Sequence, residues 1–349
     1  MAISRFEEEL LTQPRCLEDM LKAYAGPDSP LKQVDQLAGK RLSSVTFLGM
    51  GSSLFASYPA MYMLSLRGLP AHAVDASEYL YYRLDLPREG ILPVLISQSG
   101  ESPEIKKIVE GFGGRQPYIA ITNNERSPLA KSAAAVLPIM CDEEQGTTNK
   151  TYINTLAVSM LLAAKLAKLD PQEIVAAMRP LPEAMAGMLN GWRGRIGLFA
   201  DFLADPCHVD LTGRGPSLAT VCQGSLILRE LAHIKCAAIN SGLFRHGLVP
   251  SMTRGGAMIA FAPAGVTDHL TIGLARDVVE QGGQVILATN RDIPPGKNQL
   301  VYRLPNLGGV FELHMPVLEI LLIELLGILF AERRGMTPGA GIIKITPKE

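Results

Sequence analysis

Six consecutive residues, Ser97, Gln98, Ser99, Gly100, Glu101 and Ser102, put three hydroxyls, a carboxamide and a glycine between an apolar run at 94–96 and Pro103. The run reads as a buried strand and the segment after Pro103 as a helix. Hydroxyls and the unpaired backbone N–H groups of a helix N-terminus would then converge on one point, which suits an anion such as phosphate. The same six residues also fit an ordinary strand-to-helix loop in which Ser102 caps the helix. A second glycine–serine turn, Gly51, Ser52 and Ser53, follows another apolar run at 45–49. Lys150 stands alone before a helical pattern at 151–164, where a lysine can serve an anion or be a solvated or capping residue.

The elements that would position these residues recur. Strand, turn and helix succeed one another at 45–67, with the helix at 56–67, again at 94–112, and more weakly at 118–135. Such alternation implies a parallel sheet covered on both faces. Ligands of such sheets collect outside the carboxyl ends of the strands, where both serine turns would lie. Residues 5–40 read as a helical arm, since Phe6, Leu10, Leu11, Leu17, Met20 and Leu21 recur at helical spacing before a break at 25–30.

The chain also repeats itself. Residues 48–54 match 212–218 at an offset of 164, 95–100 fall opposite 260–265, and 121–123 and 137–138 match 288–290 and 304–305 at 167. Ordered matches at near-constant spacing predict two copies of one α/β fold. The copies have diverged chemically: the hydroxyl loop of the first becomes Ala262, Pro263 and Ala264 in the second.

With 349 residues, 47 % of them hydrophobic, the chain can build two domain cores. A net charge of −1, from 33 basic and 34 acidic residues, provides no field to gather nucleic acid or an acidic membrane. Five dispersed cysteines without a CxxC pair suggest neither a disulfide framework nor a zinc site, and fit a reducing, cytoplasmic setting. The N-terminus lacks the layout of a signal peptide. The longest apolar run, 315–331, carries Glu319 and Glu324, charges costly in a bilayer, and reads as a buried helix.

The motifs at 49–53, 75–79, 97–102, 143–151, 213–215, 229–234 and 244–247, with the tail from Ile342, resemble the double SIS (sugar isomerase) domain proteins, typified by the isomerase half of glucosamine-6-phosphate synthase. The resemblance implies two tandem SIS domains, each a three-layer αβα sandwich of flavodoxin-like type. The division expected is an N-terminal arm at 1–40, a first domain at 41–170, linking helices at 171–202, a second domain at 203–335 and a tail at 336–349 that enters the active site. No glutaminase portion is expected before the arm.

By that resemblance Ser97, Gln98, Ser99 and Ser102 hold the 6-phosphate of a hexose, and Gly51, Ser52, Ser53 and Thr148 complete the cradle or touch the sugar. Glu230 would be the base acting between C1 and C2, and His246 the acid/base that opens the ring, reaching the site from the other subunit of a homodimer. Lys344 would meet the open sugar, and His233 would at most support Glu230. Without the resemblance, Glu230 reads as an amphipathic-helix residue paired with Arg229 or His233, and His246 as a turn histidine satisfied by backbone. One position departs from the synthase: Ile227 stands where a lysine precedes the glutamate by three residues. That departure, and the pattern at 241–247, bring in deglycases of 6-phosphorylated fructosamines beside isomerase/deaminases. A plain aldose–ketose isomerase and a non-catalytic sugar-phosphate sensor are the other readings. No metal or organic cofactor is implied.

Overall fold

The structure is a computed structural model and describes residues 3–39, 41–86, 89–253, 255–308 and 311–340. It contains two five-stranded parallel sheets. The first consists of β1 (Ser44–Gly49), β2 (Ala71–Asp75), β3 (Ile91–Ile96), β4 (Ile119–Thr122) and β5 (Ala135–Pro138) in the order β2-β1-β3-β4-β5. The second consists of β6 (His208–Gly213), β7 (Lys235–Asn240), β8 (Ala257–Phe261), β9 (Gln284–Thr289) and β10 (Gln299–Arg303) in the order β7-β6-β8-β9-β10. The second half thus repeats the strand order of the first, and the internal sequence matches fall at corresponding strand ends, β1 at Gly49 and β6 at Gly213.

The period-2 alternation of the central strands divides the interior into three cores. Val45, Phe47, Val94, Ile96, Ile119 and Ile121 of the first sheet enter one large core, shared with Ala257, Ile259, Phe261, Ile286 and Ala288 of the second. Leu48, Leu95 and Ala120, on the opposite face, meet Ile105, Ile108 and Phe112 in an outer core. Met258, Ala260, Val285 and Leu287 do the same against Ile272 and Leu274 in the second half. Both faces of each sheet are covered, as continuous apolar strands require.

The N-terminal segment is helical, at Arg5–Leu11 and Gln13–Ala25. Phe6, Leu10, Leu17, Met20 and Leu21 join the shared core, whereas Leu11 faces outward. The helix expected at 56–67 is found at Tyr58–Leu66, and a separate single turn, Ser52–Phe55, precedes it within the glycine–serine segment. Pro59 lacks the N–H needed to continue a helix, and Ser57 Oγ turns back to donate to Leu54 O at 2.6 Å.

The 315–331 run forms the helix Pro316–Arg333, long and apolar enough to cross a membrane by composition but 89 % buried inside the protein over its apolar window. It packs against Leu218–Ala232 through two glycines: a Cβ at Gly224 would stand 3.1 Å from Ile323 Cγ1, and one at Gly327 2.9 Å from Leu231 Cδ1. Its two buried carboxyls are satisfied internally. Glu319 accepts from Ser217 Oγ (2.8 Å) and Thr220 Oγ1 (2.7 Å), and Glu324 from Gln13 Nε2 (3.0 Å). Burial pushes Glu319 up to about 7 and Glu324 up to about 8.

Candidate active site

The strand order of the first sheet reverses between β1 and β3, so the loops that leave these strands diverge and open a crevice at their carboxyl ends. The loop after β3 is held in shape by its own hydroxyls. Ser97 Oγ accepts from Gly100 N at 3.1 Å and lies 3.0 Å from Ser102 Oγ, while Ser99 Oγ accepts from Glu101 N at 3.2 Å. Gly100 has φ +67°, and a Cβ there would stand 2.1 Å from Ser127 Oγ, so glycine is required on both counts. Ser102 occupies the N-cap position of Pro103–Phe112, as the ordinary-loop reading had it, but its hydroxyl makes no capping bond and turns to Ser97 instead.

The loop after β1 meets this one across a cavity of about 130 Å³ whose walls include Ser52, Ser53, Gln98, Thr148, Thr151 and Tyr152. It is smaller than the roughly 300–1,000 Å³ of a pocket for a drug-sized ligand, and its walls are rich in hydroxyls, so it suits a phosphoryl-sized end of a ligand. A larger cavity, about 670 Å³, adjoins the matching loop of the second half at Ala264 and Gly265. There Glu312 Oε2 accepts from Val266 N at 3.1 Å, and the carboxyl stands 2.2 Å from where a Gly265 Cβ would be. A chain carboxylate occupies that turn and would repel a phosphate.

Thr148 belongs to a loop, 141–149, that is tied down at several points. Glu144 Oε1 accepts from Asn149 N (3.1 Å) and Thr151 N (3.0 Å), and its other oxygen accepts from Thr151 Oγ1. Burial raises the Glu144 carboxyl while these donors hold it back. The arm adds two anchors: Gln145 N donates to Glu9 Oε1 (3.0 Å), and Asn149 Nδ2 donates to Phe6 O (3.4 Å). Thr147, in the same loop, faces Glu230. Its buried Oγ1 completes no hydrogen bond of ordinary geometry, yet it lies close enough to the Glu230 carboxyl to hold its pKa down against burial, which raises it.

Glu230 sits half-buried on Leu218–Ala232, which crosses the β1 turn: Leu226 Cδ2 is 3.8 Å from where a Gly51 Cβ would stand. Arg229, its sequence neighbour, is engaged elsewhere, donating from Nε (3.0 Å) and Nη2 (2.5 Å) to Cys236 O. A carboxyl of the second half, raised toward neutrality, is thus one residue from the hydroxyl-lined cavity of the first. A carboxyl whose pKa is raised by burial is a stronger base than an ordinary glutamate and can accept and return a proton.

Residues 38–165, which supply every wall of this cavity named above, match the SIS domain family. The chain carries a SIS domain. It is 27 % identical over 304 residues to a glutamine–fructose-6-phosphate aminotransferase (isomerizing) of Zymomonas mobilis, over 81 % of this chain and 48 % of that protein. The chain spans about half the length of the curated relatives it matches. Among solved structures, the C-terminal domain of the glucosamine–fructose-6-phosphate aminotransferase of Francisella tularensis superposes with a TM-score of 0.83 at 22 % identity, covering 95 % of this chain and 96 % of that one. Tagatose-6-phosphate ketose/aldose isomerase of Escherichia coli gives 0.82 at 18 % identity (99 % and 96 % covered), and glucosamine-6-phosphate deaminase of Thermotoga maritima 0.74 at 18 % (97 % and 98 %). These superpositions establish a shared fold.

Within the SIS domain the structure brings Ser52, Ser53, Gln98 and Thr148 to one cavity, with Gly51, Ser97, Ser99 and Ser102 in the two loops that frame it. His246 is not on those walls: it is exposed in the turn after Ser241–Phe244, its N–H donating to Leu243 O at 2.8 Å. His233 is exposed too, at φ +51° where the Leu218–Ala232 helix ends. Lys344 lies outside the described residues. The stretch leading to it ends beside the arm, a Cβ at Gly339 being 3.1 Å from Phe6 Cβ. Lys150 is buried rather than solvated, its N–H capped by the Asn149 side chain.

Sequence reasoning missed Met50, Thr151, Tyr152 and Thr155 on the cavity walls and Thr147 beside Glu230. Thr151 and Thr155 are one helical turn apart, so their shared face was open to inference once the Lys150–Leu166 helix was assumed. Thr147 and Glu230 meet only through the packing of the two halves. Among the described residues no group of three or more His, Cys, Asp or Glu is placed to hold a metal ion.

Proposed function

We propose that the protein is a phosphosugar isomerase-type enzyme of two tandem SIS domains, acting on a hexose 6-phosphate that carries nitrogen at C1 or C2. The observation that carries this reading is the half-buried Glu230 carboxyl beside Thr147, adjacent to the hydroxyl-lined cavity. The 6-phosphate is held by the loop Ser97, Gln98, Ser99 and Ser102 together with Gly51, Ser52, Ser53 and Thr148. Glu230 moves a proton between C1 and C2 of the open-chain sugar through an enediol or enolamine, from C2 to C1 where the nitrogen is on C2 and from C1 to C2 where it is on C1, and water then releases the amine from the resulting imine. His246, supplied by a second copy of the chain, opens the ring, and Lys344 meets the open sugar. The size of the cavity supports a site completed by further elements, since about 130 Å³ holds one end of such a substrate.

Cleavage of a 6-phosphorylated fructosamine is the second reading, and Ile227 favours it. That side chain is fully buried, near Gly327 of the Pro316–Arg333 helix, and offers no amine for an imine or proton relay. Glu230→Gln tests the enzyme reading: ammonia and hexose-phosphate release from glucosamine 6-phosphate, fructose 6-phosphate and fructosamine 6-phosphates should fall about 10²–10⁴-fold, while binding of the same compounds changes little. Unchanged turnover would remove Glu230 from the chemistry. Binding by the parent protein without turnover of any member of the panel would make it a sugar-phosphate sensor.

A further inference from the structure

Cys16, on the Gln13–Ala25 helix, and Cys141, just after β5, place their Sγ atoms 2.8 Å apart although 125 residues separate them in sequence. A covalent S–S bond measures about 2.05 Å, so little movement separates this contact from a bond. Cys16 is buried and Cys141 half-buried. Cys16 Sγ also lies 3.5 Å from Asn154 Nδ2, and Cys141 Sγ 3.5 Å from Lys150 O. The hydrogen bond with Cys141 lowers the Cys16 pKa, the Lys150 ammonium helps, and burial opposes both. The same contact, together with burial, raises Cys141. The contact therefore favours the thiolate on Cys16 and the proton on Cys141, the polarity that thiol oxidation to a disulfide uses.

We propose that Cys16 and Cys141 are a redox modification site that closes to a reversible disulfide on exposure to a hydroperoxide. The Cys16 thiolate attacks one peroxide oxygen, the O–O bond breaks, hydroxide (or alkoxide) leaves, and Cys16 becomes a sulfenic acid. The Cys141 thiol then attacks that sulfur. The S–O bond breaks, water carries away the thiol proton, and the S–S bond forms. Two electrons pass from the sulfurs to the peroxide, and a small dithiol returns them. The bond ties the arm helix to the head of the 141–149 loop, whose far end carries Thr147 beside Glu230 and Thr148 in the cavity. Modification of that site's loop rests on the functional reading above; formation of the bond does not.

The test uses the full chain, reduced, desalted and exposed to one equivalent of hydrogen peroxide, then unfolded and alkylated for peptide mass mapping. The expected result is a peptide pair joined through Cys16 and Cys141, lighter by two hydrogen atoms, with two of the five thiols lost to alkylation and both regained with dithiothreitol. Cys207→Ser, at an exposed cysteine, should leave the joined pair unchanged, and Cys141→Ser should abolish it. Five alkylatable thiols after treatment, a bond made through Cys207 between chains, or Cys16 driven to sulfinic acid with Cys141 still free would each overturn the proposal. Because the mapping reads mass and not activity, its outcome is independent of whether the catalytic assignment stands.

Discussion

Glu230 owes its behaviour to two influences acting in opposite directions. Burial raises its pKa by penalising the charged form, and the Thr147 hydroxyl lowers it by favouring that form. If Glu230 is the base, activity requires its carboxylate, so kcat/KM falls as pH drops through this raised pKa, placing the acid limb above the range of an ordinary glutamate. Thr147→Val removes only the opposing hydroxyl. The acid limb should then move to higher pH, with the plateau changed less than the limb; a profile of kcat/KM between pH 5 and 8 measures both. An unmoved limb would show that Thr147 does not act on Glu230. The sequence pointed to Glu230 through its motif but was silent on Thr147, because a threonine in a glycine-bearing loop carries no local mark of what it faces.

At the scale of elements, the Pro316–Arg333 helix is the one most at odds with a simple apolar core. Glu324 is fully buried, with Gln13 as donor, and its pKa is pushed up to about 8. An unfolded chain releases this proton near the ordinary glutamate value of about 4.3. The folded state keeps it until about pH 8, so the contribution is fully present at low pH and is lost as pH rises through that window. Glu324→Gln keeps the shape without the proton linkage. Its melting temperature relative to the parent should rise progressively from pH 5 to pH 8.5, by several degrees at the upper end, as differential scanning calorimetry across that range would show. The run was legible as a buried helix because two glutamates interrupt it. Which groups receive those glutamates, Gln13 for one and Ser217 and Thr220 for the other, depends on helices far apart in the chain.

For the molecule as a whole, the proposed function has His246 reach the site from a second copy; within one copy it is exposed in a turn and is not on the cavity walls. A shared site makes a quantitative prediction. Glu230→Gln and His246→Ala chains, each inactive, should recover activity when unfolded and refolded together. Half of the resulting dimers are mixed, and each mixed dimer has one intact site of two, so about a quarter of parental activity is expected from an equal mixture. Turnover of the mixture against the two separate samples measures it, and no recovery would place both residues in one chain's own site or remove His246 from the chemistry.

The chain alone determined its parallel α/β class, its doubling and the serine loop after β3, because these follow from local rules: strand and helix periodicity, the chemistry of turns, and near-identical motifs at constant spacing. It determined the helix at 56–67 to within its ends, but not the separate helical turn Ser52–Phe55 before it, where the glycine–serine segment was read as a turn. Only the tertiary structure decided that Thr147 meets Glu230, that Tyr152 and Thr155 line the cavity, that Glu312 fills the second half's corresponding turn, and that Cys16 touches Cys141. Each of these pairs residues distant in sequence, brought together by the large core that the two sheets share. Local pattern shows which face of an element is buried, and three-dimensional packing selects what it is buried against.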